Sequence, residues 1–478
     1  MGTLTQLTAA QRQLVTELLR LSPVLTEVGS RFAAAGHELH LVGGSVRDAL
    51  LGRGGDDLDL TTDARPEQIL ALVADRPTWT TGIEFGTVGV QYGAHRLEIT
   101  TYRADRYDRV SRKPDVVYGD SLAADLARRD FTMNAMAFSV QDDSFTDPYG
   151  GLPDLLARRL RTPGTAEDSF ADDPLRMLRA ARFVSQLGVV PAPDVLAAIS
   201  GMAGQIARIS AERVQAELTK LMLGADPRTA LELMVDCGLA ASVLPELPAL
   251  RLEIDEHHQH KDVYTHSLTV LEQAIALEGP GGPDLILRLA ALLHDIGKPA
   301  TRRYESQGRV SFHHHEVVGM RMVRDRLRAL RFPADVVRDV AQLTFLHLRF
   351  HGYGRGEWTD SAVRRYVVDA GPLLDRLHLL VRSDCTTRNE RRARVLSATY
   401  DALEERIAAL KQREDLDAVR PDLDGNEIMR LLGLEPGRLV GQAWAHLKAA
   451  RLERGPLTRE EAEAELRRWS AEHIPPPT

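Results

Sequence analysis

The chain has 478 residues, of which 27% are charged and 44% hydrophobic; 60 basic stand against 68 acidic side chains, a formal net charge of −8. That is enough apolar material for several cores, about three domains at roughly 150 residues each, and it excludes a disordered chain or a fibrous repeat. No run approaches the ~20 apolar residues of a bilayer span, and Cys237 and Cys385, the two cysteines, exclude a disulfide framework or a zinc ribbon.

Taken in order, Met1 to Leu14 is polar and lacks the basic-then-apolar layout of a secretory signal, so a soluble, cytoplasmic protein without membrane contact is expected. Residues 5–35 place Leu14, Leu18, Leu21, Leu25 and Val28 at helical spacing, a lead-in that Pro23 divides. From Glu38 to about Phe145 the period changes, and LHLV, LDLTT, GTVGVQY, RLEITTYR and MNAMAFSV look like strands between helices. The polar stretch from Ala104 to Leu122, with Arg106, Arg109, Arg112 and Lys113, predicts a mobile loop. From Pro153 the pattern turns helical, with DDPLRMLRAARFVSQLG and ISAERVQAELTKLMLG as apolar-striped helices. GPGGPD, residues 279–284, is a loop between helices; residues 395–470 are helical again, and the terminal PPPT is frayed. The acidic balance argues against a basic coat, although a local basic track suffices for nucleic acid. Only six of the basic residues are Lys, a bias that GC-rich coding explains, yet Arg forks suit phosphate better than ammonium groups do.

The first chemical constellation is LVGGSVRDALLGRGGDDLDL, from Leu41 to Leu60. A strand runs into Gly43 and Gly44, and Ser45 is placed to cap a helix carrying Arg47 and Asp48. Glycines at such a corner let backbone N–H groups approach a phosphate. Asp57 and Asp59 follow on a strand, where alternate residues share a face. Two carboxylates side by side repel unless a cation lies between them, and hard oxygen ligands favour Mg²⁺. Glu98, on RLEITTYR, would supply a third carboxylate. An isolated DxD marks a turn as readily as a metal site; the succession GG, VRD, DxD does not. No Walker-type phosphate loop is present.

These residues resemble the class II tRNA nucleotidyltransferase and bacterial poly(A) polymerase family, within the polymerase-β superfamily. LVGGSVRDALLG…DDLD is similar to its first motif, which implies that Asp57 and Asp59 are the metal-binding pair; Glu98, read from its own strand, completes the expected catalytic set. ARRDFTMNAMAF resembles its ribose-recognition motif and carries roles onto Arg129, Asp130 and Asn134. DDPLRMLRAARFVSQLG, residues 172–188, resembles its base-reading helix, with Asp172-Asp173 where the family usually has Glu-Asp. Asp173 and Arg176 are three apart, hence neighbours on one helical face. An acceptor beside a donor suits the edges of cytosine and adenine and leaves guanine and uracil with unpaired groups. Gly43, Gly44, Arg47, Arg103, Arg179 and Arg182 complete the expected nucleotide-binding set.

The second constellation is His266, His294-Asp295, His315, His347 and Asp384, each in an apparently helical stretch. The order H…HD…H…H…D resembles the HD phosphohydrolase superfamily over about residues 255–390. The resemblance implies a divalent transition metal or Mg²⁺ on His266, His294, Asp295 and Asp384, with His315 and His347 as the added ligands of two-metal members. His257, His258 and His260 are expected at the surface. Residues 421–447 resemble the tail of such chains, with Gly437 and Gly441 near a helix start.

The expected fold is α+β: a helical lead-in (1–37), a polymerase-β-type head with a mixed sheet (38–155), and all-α neck (156–252), HD (253–392) and tail (393–478) segments. The implied activity is addition of C, C and A to tRNA 3′ ends from CTP and ATP. Poly(A) polymerisation, A-only addition and CC-only addition share these motifs and stay open. A rival of another class is a metal-dependent phosphohydrolase whose nucleotidyltransferase-like half binds RNA.

Overall fold

The computed structural model describes residues 23–103, 118–119, 121–251, 262–304, 310–350, 358–387, 389–414 and 420–474. They form two compact units, Met1–Pro245 and Glu246–Thr478. The predicted loop basic residues 106, 109, 112 and 113, the lead-in Leu14, Leu18 and Leu21, the three histidines between 257 and 260, and the terminal PPPT lie outside the described residues.

The first unit is built on a mixed sheet of seven strands among the described residues: β1 (Leu39–Val42), β2 (Asp57–Thr62), β3 (Thr78–Trp79), β4 (Thr87–Tyr92), β5 (His95–Thr101), β6 (Ala137–Ser139) and β7 (Phe145–Thr146), in the order β3-β4-β5-β2-β1-β6-β7. Within this sheet only β2 and β5 run parallel; a separate parallel pair, Arg159–Leu160 with Val190–Pro191, falls in the neck expected to be all-α, where the Arg158 carbonyl takes the Val190 amide. Every residue of β1 is buried, as its unbroken LHLV run requires. β2 alternates: Leu58 and Leu60 enter the core, so Asp57 and Asp59 face outward. MNAMAFSV is strand only in its second half, because Thr132–Asn134 closes a tight 3-10 turn first. The helix Pro23–Ala34 buries Leu25, Val28 and Phe32, with Pro23 at its first position, where a missing N–H costs nothing.

The segment read as one helix over 172–188 is two. Ala166–Asp172 ends at Asp173, which is extended (φ −141°, ψ 100°), and Leu175–Leu187 begins after Pro174. Proline clashes with a helical residue before it, so Asp173 is forced out of the helix. The neighbouring helix Ala211–Met222 packs Val214, Leu218, Leu221 and Met222 into the core and leaves Arg213 and Glu217, four apart, to meet charged partners.

The second unit is helical apart from the short pair Arg303–Tyr304 and Val310–Ser311. Side-chain caps fix the starts of several of its helices. Asp262 accepts from the Tyr264 and Thr265 amides, and Asp284, last residue of the predicted GPGGPD loop, accepts from Ile286 and Leu287. Gly297 is a packing necessity, since a Cβ there would lie 2.2 Å from the His315 carbonyl oxygen. The final helices, Gly425–Leu432, Arg438–Arg454 and Arg459–His473, enclose a separate small core of Leu423, Ile428, Ala443, Leu447, Ala462, Leu466 and Trp469. Gly437 precedes the middle helix and Gly441 lies inside it. No helix among the described residues is long and apolar enough to cross a membrane.

Candidate active site

Register brings the predicted carboxylates together. Asp59 on β2 is the parallel partner of Glu98 on β5, and Asp57 shares their face one pleat away. Water reaches Asp59, yet the surrounding protein crowds it. That crowding, partly offset by Arg129 and reinforced by Glu98, raises its carboxyl above the usual range. Asp57 and Asp59, which open on a cleft beside Glu98 and repel one another, are chemistry suited to a divalent cation.

The corner before them differs in one detail from expectation. Gly43, not Ser45, occupies the cap of the helix Gly44–Leu50, with φ +67°, and an added Cβ would meet Arg129 Nη1 at 2.8 Å. Ser45 lies inside the helix, and its hydroxyl accepts the Asp59 amide at 2.8 Å, tying the helix to the carboxylate strand.

Asp59 sits where two cavities meet. One, of about 540 Å³, is lined by Asp59 together with Gly43, Gly44, Arg47, Arg103, Arg129, Asp130, Asn134, Asp173, Arg176, Arg179 and Arg182, the residues expected from sequence to bind nucleotide. The other, of about 480 Å³, is shared by Asp57, Asp59 and Arg47 with Arg53, Gln186 and Leu223. The larger cavity is strongly cationic, since Arg128 and Lys220 join its six predicted arginines against three acids. Asp130 is its hub. One oxygen accepts the Phe131 amide at 2.8 Å and Asn134 Nδ2 at 2.9 Å, while the other takes Arg179. Burial opposes this charge, but Arg179 and the Asn134 hydrogen bond hold Asp130 well below the usual carboxylate range. Asn134 in turn accepts from Arg47 at 2.7 Å.

Asp173 and Arg176 both line this cavity but do not meet as a helical i,i+3 pair. Arg176 donates to Ser169 Oγ at 2.8 Å and to the Arg128 carbonyl at 2.6 Å. Asp173 accepts the Leu175 amide at 3.1 Å and pairs with Arg213 at 2.7 Å. Pro174 is the reason, because it separates the acid from the helix that carries the arginine. Sequence reading missed the supports: Arg128, Lys220, Phe183, Arg213 and Glu217. Arg213 and Glu217 carried a signal, since their spacing on ISAERVQAEL presents opposite charges on one helical face.

In the second unit all six predicted ligands converge. His266, His294 and Asp384 form one group and Asp295, His315 and His347 another, the ligand atoms in each within 4.8 Å. Only His266 sits within a helix; His294, His347 and Asp384 follow helix ends and His315 begins one. Asp295 joins the groups: Oδ2 lies 3.2 Å from His294 Nε2 and 3.5 Å from His266 Nε2, and Oδ1 lies 3.2 Å from His315 Nε2 and 3.8 Å from His347 Nε2. Nδ1 of His294, His315 and His347 bonds the carbonyl three residues back, at 2.8, 2.8 and 2.6 Å, so each Nε2 faces the centre. Burial works against a charged His294, but Asp295 and Asp384 outweigh it and raise it to about 9, whereas burial and His294 depress His347 to about 3. Buried imidazoles and carboxylates aimed at one another in this way are a fitting donor set for divalent metal.

Comparison with known proteins agrees with both sites. The poly A polymerase head domain matches residues 39–161, the probable RNA and SrmB-binding site of polymerase A matches 188–250, and the HD domain matches 263–388. An A-adding tRNA nucleotidyltransferase of Deinococcus radiodurans is 33% identical over 441 residues, 90% of this chain and 95% of that one. The chain belongs to the tRNA nucleotidyltransferase family. A CCA-adding enzyme of Oceanobacillus iheyensis is 41% identical over 222 residues, so the match spans 46% of this chain and about half, 54%, of that relative. The solved Bacillus stearothermophilus CCA-adding enzyme in complex with CTP superimposes with a TM-score of 0.68 at 26% identity, covering 94% of this chain and 97% of that one. Family membership thus accounts for the mixed-sheet head and the helical remainder, and both families typically use divalent metals.

Proposed function

We propose that this nucleotidyltransferase adds C, C and A to the 3′ ends of tRNA from CTP and ATP, releasing pyrophosphate. The observation that carries the reading is Asp59, beside Asp57 and Glu98 on one sheet face, opening into a cationic cavity whose wall holds Asp173 and Arg176. In this reading Arg47, Arg103, Arg179 and Arg182 bind the triphosphate, Arg129, Asp130 and Asn134 order the ribose end, and Asp173 with Arg176 selects amino-bearing base edges. Asp57, Asp59 and Glu98 would hold Mg²⁺, which supplies charge neutralisation at the reacting phosphates when bound. The neck and tail helices would meet tRNA by its shape and backbone. The five segments expected from sequence are kept as a proposal; the division between the two compact units, after Pro245, falls inside the expected neck of residues 156–252.

A-only addition is the second reading. It is favoured by the Deinococcus relative, named for A addition, which aligns along nearly the whole chain where the Oceanobacillus CCA-adding relative aligns over about half. Sequencing the ends of tRNA lacking CCA, after incubation with CTP, ATP or both, separates them. Ends in CCA with both nucleotides support the first reading. Extension of CC-ended tRNA alone supports the second, and long adenosine tracts on any RNA would point to a poly(A) polymerase. The His/Asp cluster we read as a metal-dependent phosphohydrolase site; hydrolysis of a 2′,3′-cyclic or terminal phosphate that stops on chelation is the expected result.

A further inference from the structure

Three arginines of the cavity gather on one aromatic ring. The guanidinium carbon of Arg182 lies 4.0 Å from the Phe183 ring centroid, that of Arg47 5.1 Å and that of Arg179 5.9 Å. The ring is buried, 1% exposed, and a perpendicular Phe131 at 5.7 Å fixes its tilt. Arg47 comes from the glycine-corner helix, and the other two come from Leu175–Leu187, so the ring joins two elements.

Gathering these cations is an electrostatic problem. Each has an anionic or polar partner on its edge: Asp48 and Asn134 for Arg47, Asp130 for Arg179, Glu217 for Arg182. Asp130 more than offsets the crowding at Arg179, but Glu217 does not do so at Arg182. Burial depresses Arg182 despite Glu217, and Arg179 and Arg47 add to the depression. A further carboxylate at position 183 would draw the arginines together, but its charge would also repel a phosphate. An aliphatic residue would fill the volume and attract no cation. An aromatic face attracts cations through its quadrupole and carries no net charge, so the field of the cavity survives.

We propose that Phe183 is a positioning residue of the nucleotide site: its ring holds Arg47, Arg179 and Arg182 converged on the triphosphate before the nucleotide arrives. The inference rests on the cavity being the nucleotide site. Phe183 acts on the phosphates and not on the base, so it governs affinity for CTP and ATP alike.

The test replaces Phe183 in the full-length protein with mono-, di- and trifluorinated phenylalanine, which keep the shape of the ring and weaken its face stepwise. Binding of CTP and of ATP is measured with Mg²⁺ and without tRNA. The dissociation constants of both should rise with each fluorine, by about tenfold across the series. Phe183→Leu, apolar but smaller and without the ring, should bind both nucleotides no more tightly than the most fluorinated ring, with the preference for CTP over GTP unchanged. Native protein that binds CTP together with a flat series, or unchanged affinity in Phe183→Leu, overturns the role of the ring while leaving the cavity as the nucleotide site. Native protein that binds neither nucleotide removes both assignments.

Discussion

At Asp130 two oxygens serve three donors, and the residue couples the ribose-motif turn to the Leu175–Leu187 helix through Arg179. Removing its charge leaves Arg179 without its principal counter-ion. Asp130→Asn should cost about 2 kcal/mol of stability, less than the roughly 3–5 of a fully buried pair, because Arg179 keeps partial access to water. The pH dependence has a definite sign. The folded Asp130 carboxyl lies below its unfolded value, so its contribution is full above about pH 3.9 and is lost as pH falls towards the folded value. Thermal midpoints followed from about pH 5 to about pH 3 should therefore drop more steeply for the native protein than for Asp130→Asn. Parallel curves would show that the pair contributes nothing.

The corner between β1 and the helix Gly44–Leu50 is the element on which the site turns, since Gly43 adopts φ +67° with Arg129 directly over it. Gly43→Ala should lose about 1–2 kcal/mol in urea unfolding and displace Arg129, so that nucleotide affinity falls with it; unchanged affinity would dissociate the corner from the cavity. This corner was legible in sequence through the succession of GG, VRD and DxD, since Gly-Gly before a helix is ordinary by itself; its cap was expected at Ser45 and is Gly43. So were Asp57 and Asp59, whose alternation sets the face they share, and the six His/Asp residues expected to bind metal, read from their order along the chain and from His294-Asp295, charge ending an apolar run. The parallel pairing of Asp59 with Glu98 was only guessed, as register depends on partners distant in the chain. The break at Asp173 was missed although Pro174 announced it, because the apolar stripe of the following helix dominated the pattern. Nor did the supports of Asp173 and Arg182 emerge, since which charges meet across helices is decided by packing.

At the scale of the molecule, the same-face carboxylates and the His/Asp cluster lie in separate compact units and offer different donors, carboxylates in the first and imidazoles with carboxylates in the second. That separation makes them independently removable. Asp295→Ala takes away the carboxylate shared by both groups of the second unit and should abolish tight Mn²⁺ binding there, measured by metal analysis after gel filtration. Its tRNA end-addition rate should equal that of the native protein. Loss of end addition together with the metal would mean that the clusters act as one.

The central claim, that same-face carboxylates act on a nucleotide held in the adjoining cavity, is tested most directly by measuring binding and incorporation separately in Asp59→Asn. The expected outcome is CTP bound within about tenfold of native affinity, with incorporation into tRNA lacking CCA reduced by at least about a thousandfold. Incorporation at the native rate would contradict it.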